Sequence, residues 1–211
     1  MLLTIDWNGW AFVWTLAAYA LGSLSSAIVV CRMMGFGDPR EGGSGNPGAT
    51  NVKRLYGNRP AALTLVGDML KGVLAVWGAK GLGFSSEWVM IAGFAAFVGH
   101  LYPLFFQFRG GKGVATFLGV LFGLQGWLGL AVAGVWLFVA KVLRVSSASA
   151  LVAGALAPAL VYLITAWQST QNTPNLFWVV MTAALSVLLF WRHRSNIKRL
   201  IKGEGDVIGR S

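Results

Sequence analysis

Glycines interleaved with hydroxyl and basic side chains mark three stretches of this sequence as places where an anion could be held. The first reads Gly42-Gly43-Ser44-Gly45-Asn46-Pro47-Gly48-Ala49-Thr50-Asn51-Val52-Lys53-Arg54. Gly42, Gly43, Gly45 and Gly48 let the backbone take positive φ and aim successive N–H groups at one anion. Ser44, Thr50 and Asn51 add side-chain donors, and the planar fork of Arg54 suits a phosphate. The lysine-serine ending of a nucleotide-binding P-loop is missing, so nucleotide hydrolysis is not implied.

The second stretch runs from Gly99-His100-Leu101-Tyr102-Pro103 into Phe108-Arg109-Gly110-Gly111-Lys112-Gly113-Val114-Ala115-Thr116 and opens a helix. Gly110, Gly111 and Gly113 at a helix N-terminus expose unpaired N–H groups and the positive end of the dipole, and Lys112 adds a full charge there. His100 fits either a hydrogen-bonded structural histidine or a substrate contact. The third stretch, Arg192-His193-Arg194-Ser195-Asn196-Ile197-Lys198-Arg199-Leu200, follows the last apolar run. On a continuing helix His193 and Asn196, three apart, share one face and point together.

Two charges lie deeper. Asp68 and Lys71 are also three apart and could neutralise each other, yet ionisable residues inside an apolar segment are candidates for function by default. Ser146 and Ser147 follow Lys141 and Arg144 and could add a donor on the same side.

The elements that must position these groups are membrane helices. The chain is 211 residues long, 56% hydrophobic and 11% charged, with a mean hydropathy of +0.65. That is too apolar for a soluble domain of this size, and the reading is one all-α membrane domain over residues 1–211. Apolar segments fall at about 11 to 30, 61 to 79, 88 to 108, 148 to 167 and 175 to 191. The first carries Asp6 ahead of it and Arg32 after it instead of a basic leader and a cleavage site, so it reads as a retained anchor. Splitting Val114 to Val139 and its continuation at Gln125-Gly126 gives a short helix of about 114 to 124 and another of about 127 to 143, hence seven spans.

With seven spans the N-terminus is outside, the C-terminus is cytoplasmic, and the positive charges agree. Arg32, Arg40, Lys53, Arg54, Arg59, Arg109, Lys112, Lys141, Arg144 and the tail from Arg192 to Arg210 fall on the cytoplasmic side, leaving Lys80 outside and Lys71 within a span. The formal net charge of +10 therefore reads as topology and anion binding, with no nucleic-acid partner. Gly119, Gly123, Gly129 and Gly134, with Ala148, Ala150, Ala153, Ala155 and Ala157, are expected at close helix contacts. Trp7, Trp10, Trp88, Trp127, Trp167 and Trp191 are expected as interfacial anchors. A single cysteine, Cys31, excludes an intramolecular disulfide and a cysteine-rich metal site.

The three stretches, in this order and on one side, resemble the signature motifs of the bacterial acyl-phosphate-dependent glycerol-3-phosphate acyltransferases. Gly43 to Asn51 resembles the first motif, Gly99-His100 with Phe108 to Thr116 the second, and His193 to Leu200 the third. Gly22-Ser23 and Asp68-Met69-Leu70-Lys71-Gly72 extend the similarity over nearly the whole chain. One departure is that Glu204 follows Gly203 directly, where family members often carry an acid one place later.

The resemblance implies a multi-pass protein of the bacterial inner membrane, with a cytoplasmic active site and no metal or cofactor. A monomer is the working unit to be expected. It implies acyl phosphate, rather than acyl-CoA or acyl carrier protein, as donor to the 1-hydroxyl of glycerol 3-phosphate. Lysophosphatidic acid and inorganic phosphate would be the products, at the start of phospholipid synthesis. Ser44, Arg54, Lys112, His193 and Asn196 would be catalytic; Gly43, Gly45, Asn46, Gly48, Thr50, Asn51, His100, Gly110, Gly111, Gly113 and Ser146 would bind substrate, with Asp68 and Lys71 as further candidates. Acyl phosphate is already activated, so direct attack needs positioning and charge stabilisation rather than a protein nucleophile. The proton acceptor is either His193 or a substrate phosphate. A carrier for phosphorylated solutes is the competing reading, since clustered anion donors suit it too. A membrane scaffold holding anionic lipid would leave the glycine cradles without a role.

Overall fold

The computed structural model describes residues 8–203; Asp6, Trp7, Glu204 and the end of the basic tail lie outside them. Among the described residues the chain is helical, with no strand. Four elements are each long and apolar enough to cross a bilayer: α4 (Asn58–Gly81), α5 (Ser86–Leu101, with the 3₁₀ turn Leu104–Phe106), α7 (Gly126–Leu143) and α8 (Ser146–Gln168). Two bent pairs raise this to six: α1 (Gly9–Gly22) with α2 (Ser26–Met33), bent by 47°, and α9 (Leu176–Arg192) with α10 (Arg194–Ile201), bent by 63°. The short helix is α6 (Val114–Leu124), and the first glycine-rich stretch ends in a helix of its own, α3 (Ala49–Tyr56).

Two of these outcomes depart from the sequence expectation. The first apolar segment is not one helix. It breaks at Ser23–Ser25, where the Ser23 hydroxyl donates to the Tyr19 carbonyl and the released Leu24 carbonyl accepts from Lys71 Nζ at 2.9 Å. Nor does the last helix continue through His193, which ends α9 and starts α10. The split at Gln125 does occur: this residue is extended (φ −156°, ψ 135°) between α6 and α7.

Glycines set the closest crossings. A Cβ at Gly22 or Gly99 would strike the backbone of the partner helix where α1 passes α5, and one at Gly72 or Gly119 would do so where α4 passes α6. Gly129 packs under the Phe122 ring, whereas Gly134 has open space around it and Ala155 is exposed, so those two do not serve close packing. Phe97, Phe117, Met90, Leu101, Leu121 and Leu189 are fully buried between α4, α5, α6 and α9. Phe97 and Phe117 meet edge-on at 6.2 Å. The apolar residues that remain exposed, such as Leu130, Leu137 and Phe138 on α7, form the lipid-facing coat of a membrane bundle.

The C-terminal end of α6 would leave carbonyls unpaired in an apolar setting. Lys80, at the end of α4, donates to the carbonyls of Gly123 (2.9 Å) and Leu124 (2.6 Å) and closes it.

Gly119→Ala should push α4 and α6 apart and cost about 1 to 3 kcal/mol, as overpacking does. Thermal unfolding in detergent should show a clearly lowered midpoint for this variant and an unchanged one for Gly134→Ala.

Candidate active site

The glycine-rich stretches meet at one end of the bundle, each held by a residue of a neighbouring element. In the first, Gly43 (φ 58°) and Gly45 (φ 67°) take the left-handed conformation that the turn requires. Asn51, on α3 and 1% exposed, reaches back into the loop. Its Oδ1 accepts the Ser44 N–H at 2.8 Å, and its Nδ2 donates to the carbonyls of Pro39 (2.8 Å) and Gly42 (3.1 Å). The side chain expected as a substrate donor is thus a brace that shapes the loop. Asp38 and Arg40 form a fork with its shortest contact at 2.7 Å, and Arg40 Nη1 donates to Phe106 O, tying the first loop to the second. Hydrogen bonding from Arg40 holds the Asp38 carboxyl below its usual range.

The second loop rests on a buried ionic group. Asp68 Oδ1 lies 3.0 Å from Lys71 Nζ and 3.5 Å from His100 Nδ1. The Thr116 hydroxyl, in the first turn of α6, donates to the Asp68 carbonyl at 2.9 Å. The His100 carbonyl accepts the Gly111 N–H at 3.1 Å, and a Cβ on Gly111 would run into the His100 ring. His100 is therefore beneath the loop. From the other side Arg192 donates to Gly111 O (Nε, 3.0 Å) and Gly110 O (Nη2, 2.6 Å). Gly113 (φ 88°) then turns the chain into α6 against Phe97 and Leu101, where no side chain fits.

In the third stretch the chain has left the last span. His193 is 2% exposed, with Nδ1 2.8 Å from the Leu189 carbonyl. A carbonyl only accepts, so Nδ1 carries the proton and Nε2 of the neutral ring keeps its lone pair. Burial pushes the imidazole down to about 4, with the nearby Lys112 and Arg192 lowering it further against the raising effect of the Leu189 bond. Asn196 is buried too, and its Oδ1 has no hydrogen-bond partner among the described residues.

Two adjoining cavities of about 240 Å³ each open at this end. Ser44, Asn46, Lys112, Arg194 and Ser195 line the first, Arg40, Pro47, Phe108 and Arg109 the second, and Gly45, Gly110 and Arg192 both. The N-termini of α3, α6, α8 and α10 belong to the same end; Thr50 of α3 and Ser146 of α8 approach to 3.4 Å. Of the residues expected from sequence, Ser44, Gly45, Asn46, Gly110 and Lys112 are in the walls. Gly43, Gly48, Gly111 and Gly113 shape the loops. Arg54, Thr50 and Ser146 are not in the walls of either cavity, and Asp68, Lys71 and His100 are buried away from them. His193 and Asn196 are buried and are not in the walls. Arg40 is legible in the sequence only as a topology charge and Arg192 only as the head of the third basic stretch; their engagement with backbone carbonyls of another loop has no local signal. Among the described residues no group of three or more His, Cys, Asp or Glu could hold a metal.

A helical membrane protein with two basic cavities side by side at one bundle end is built to handle molecules that bear phosphate and contact lipid. The family model for glycerol-3-phosphate acyltransferase matches residues 12–203. A glycerol-3-phosphate acyltransferase of Hydrogenovibrio crunogenus is 64% identical over 191 residues, covering 90% of this chain and 88% of the relative. Crystal structures of PlsY (YgiH), an integral membrane glycerol 3-phosphate acyltransferase, superpose on 95% of this chain and 96% of that one. The glycerol 3-phosphate form gives a TM-score of 0.85 at 35% identity and the lysophosphatidic acid form 0.84 at 34%. The chain belongs to the glycerol-3-phosphate acyltransferase family, and it is a membrane-embedded acyltransferase.

Asn51→Asp would set a carboxylate against two carbonyls and should collapse the first loop. Turnover is expected to fall by at least about tenfold while the helical core melts unchanged, because only the loop's hydrogen bonds are lost.

Proposed function

We propose that the chain transfers a fatty acyl group from acyl phosphate to the 1-hydroxyl of glycerol 3-phosphate, releasing lysophosphatidic acid and inorganic phosphate. The observation that carries this reading is the pair of adjoining cavities lined by Lys112, Arg194, Arg40 and Arg109, with Arg192 in the walls of both. Both substrates bring a phosphate, and two cavities sharing Arg192 are suited to bring two mutually repelling anions together. Glycerol 3-phosphate also has two hydroxyls to donate, and His193 and Asn196 offer two acceptors.

Chemistry follows from these partners. Lys112 and the backbone N–H groups of the loops hold the anions, the acyl carbonyl of the activated donor is attacked directly, and the carbon–oxygen bond to phosphate breaks. Ser44 and the loop glycines belong to the phosphate contacts, with Arg54 and the Thr50–Ser146 pair at the margin. An imidazole with a pKa of about 4 is a weak base at neutral pH, whereas a phosphate with its second pKa near about 6 accepts a proton more readily. In this reading His193 orients the hydroxyl and a substrate phosphate takes its proton. The two deep charges that a carrier would use, Asp68 and Lys71, are engaged with each other and with Leu24.

The proposed setting is the bacterial inner membrane, with α6 counted as the short one of seven spans and a single chain as the working unit. The N-terminus is outside and the cavities face the cytoplasm. Support comes from the positive charges: Arg40, Arg109, Lys112, Arg192 and Arg194 share the cavity end, and Lys80 caps α6 at the other.

Purified protein in lipid should release phosphate from palmitoyl phosphate when glycerol 3-phosphate is present and not with palmitoyl-CoA as donor. No release, or equal release without glycerol 3-phosphate, overturns the reaction. His193→Gln, which keeps an acceptor at similar reach, should lower turnover by about 10- to 100-fold. A loss beyond about 1000-fold would assign the proton to His193 instead. Since the neutral ring is the active form, the ratio of wild-type to variant turnover should hold from pH 8 through 6 and shrink only as the pH falls toward 4.

A further inference from the structure

The second loop contains Gly110-Gly111, the most permissive dipeptide a backbone can offer, directly before the lysine that serves the anion site. Left alone, each of the two peptide planes that follow could rotate and present its carbonyl oxygen to the cavity, where it would repel phosphate. The structure blocks this from one side chain. Arg192 donates Nε to Gly111 O and Nη2 to Gly110 O, and its guanidinium lies over the Tyr102 ring, 5.5 Å from the centroid. The Tyr102 backbone is itself held, its carbonyl accepting the Tyr19 hydroxyl at 2.7 Å. On the opposite side the Gly111 N–H is fixed on the His100 carbonyl.

We propose that Arg192 is a positioning residue for the acyltransfer. Its fork fixes the planes of the peptides on either side of Gly111, and so the direction in which Lys112 leaves the loop. A peptide unit is planar and trans, so binding its oxygen also determines where its N–H points. Two consecutive planes need two donors in fixed relation, which a planar guanidinium provides and an ammonium does not. The aromatic face beneath it limits the guanidinium to one orientation. Arg192 also immediately precedes His193, so the bonds that set the second loop anchor the start of the third. Two glycine-loop carbonyls, the walls of both cavities and the bend between α9 and α10 meet in this side chain.

The kinetic part of the test rests on the proposed reaction, and hydrogen exchange of the loop, read without substrate, does not. Arg192→Lys keeps the charge and removes the fork. In the full chain reconstituted in lipid, amide exchange over residues 109–113 should rise by about tenfold, with the core of α4 to α6 unchanged. KM for glycerol 3-phosphate should rise by about tenfold or more. Unchanged exchange over 109–113 overturns the proposal whatever the kinetics show; faster exchange with unaltered kinetics overturns the role in catalysis and leaves the loop contact as structure only. Should Arg192→Lys fail to fold, Tyr102→Leu reads the same loop. It leaves both hydrogen bonds possible but removes the face that orients them, and it should raise exchange over 109–113 by a smaller factor, with no rise overturning the proposal.

Discussion

A helix of eleven residues rises roughly 16 Å, about half of a hydrocarbon core of roughly 30 Å, and the rest of the structure depends on keeping such a helix, α6, in place. Both of its ends carry backbone groups that lipid cannot satisfy. Lys80 closes the far end on the Gly123 and Leu124 carbonyls. Along its length Gly119 and Gly72 bring α6 against the backbone of α4, closer than any side chain would permit. That closeness lets Thr116 reach the Asp68 carbonyl, which places the first turn of α6 beside the buried Asp68–Lys71 pair. The charges are tolerable there because each has a partner: carboxylate with ammonium, ammonium also with the Leu24 carbonyl that the break between α1 and α2 releases.

From that buried group the order passes outward. Asp68 lies against His100, His100 supports Gly111, and Gly111 with Gly110 is held from above by Arg192. The loop that carries Lys112 is therefore not a flexible linker; it is confined between a buried ion pair and the end of the last span. The first loop follows the same logic with different chemistry, its turn being filled by the Asn51 amide. In both cases a polar residue expected from the sequence to meet substrate, Asn51 in the first loop and His100 beneath the second, is occupied in shaping the backbone. Backbone N–H groups and the cations beside them are left to face the cavities.

The sequence made the spans legible because a helix in lipid needs a long apolar run, and it made the division at Gln125 legible because the positive charges agree only with an extra span. The break at Ser23–Ser25 falls in Gly22-Ser23-Leu24-Ser25-Ser26, residues at which helices kink, but the distant Lys71 ammonium that takes the Leu24 carbonyl has no local signal. Gly134 and Gly119 look alike in sequence, yet only Gly119 faces another backbone, because a helix's neighbours are not written in its own residues. The loop motifs do meet at one end of the bundle. Which members line a cavity and which brace it depends on where α3 and α9 return, and that is tertiary information.

The bend at His193 shows how much such a return decides. Were α9 to continue straight, Asn196 would stand beyond the end of the bundle with Lys198 and Arg199, in water. The bend of 63° folds α10 back so that Asn196 is buried beside His193 while Arg194, Lys198 and Arg199 stay exposed. A charged helix with one buried polar residue is unfavourable without a reason, since Asn196 Oδ1 lacks a partner among the described residues and a buried acceptor left unpaired costs about 1 to 3 kcal/mol. The cost is offset if a donor arrives with the substrate. In the proposed reaction that donor is a hydroxyl of glycerol 3-phosphate.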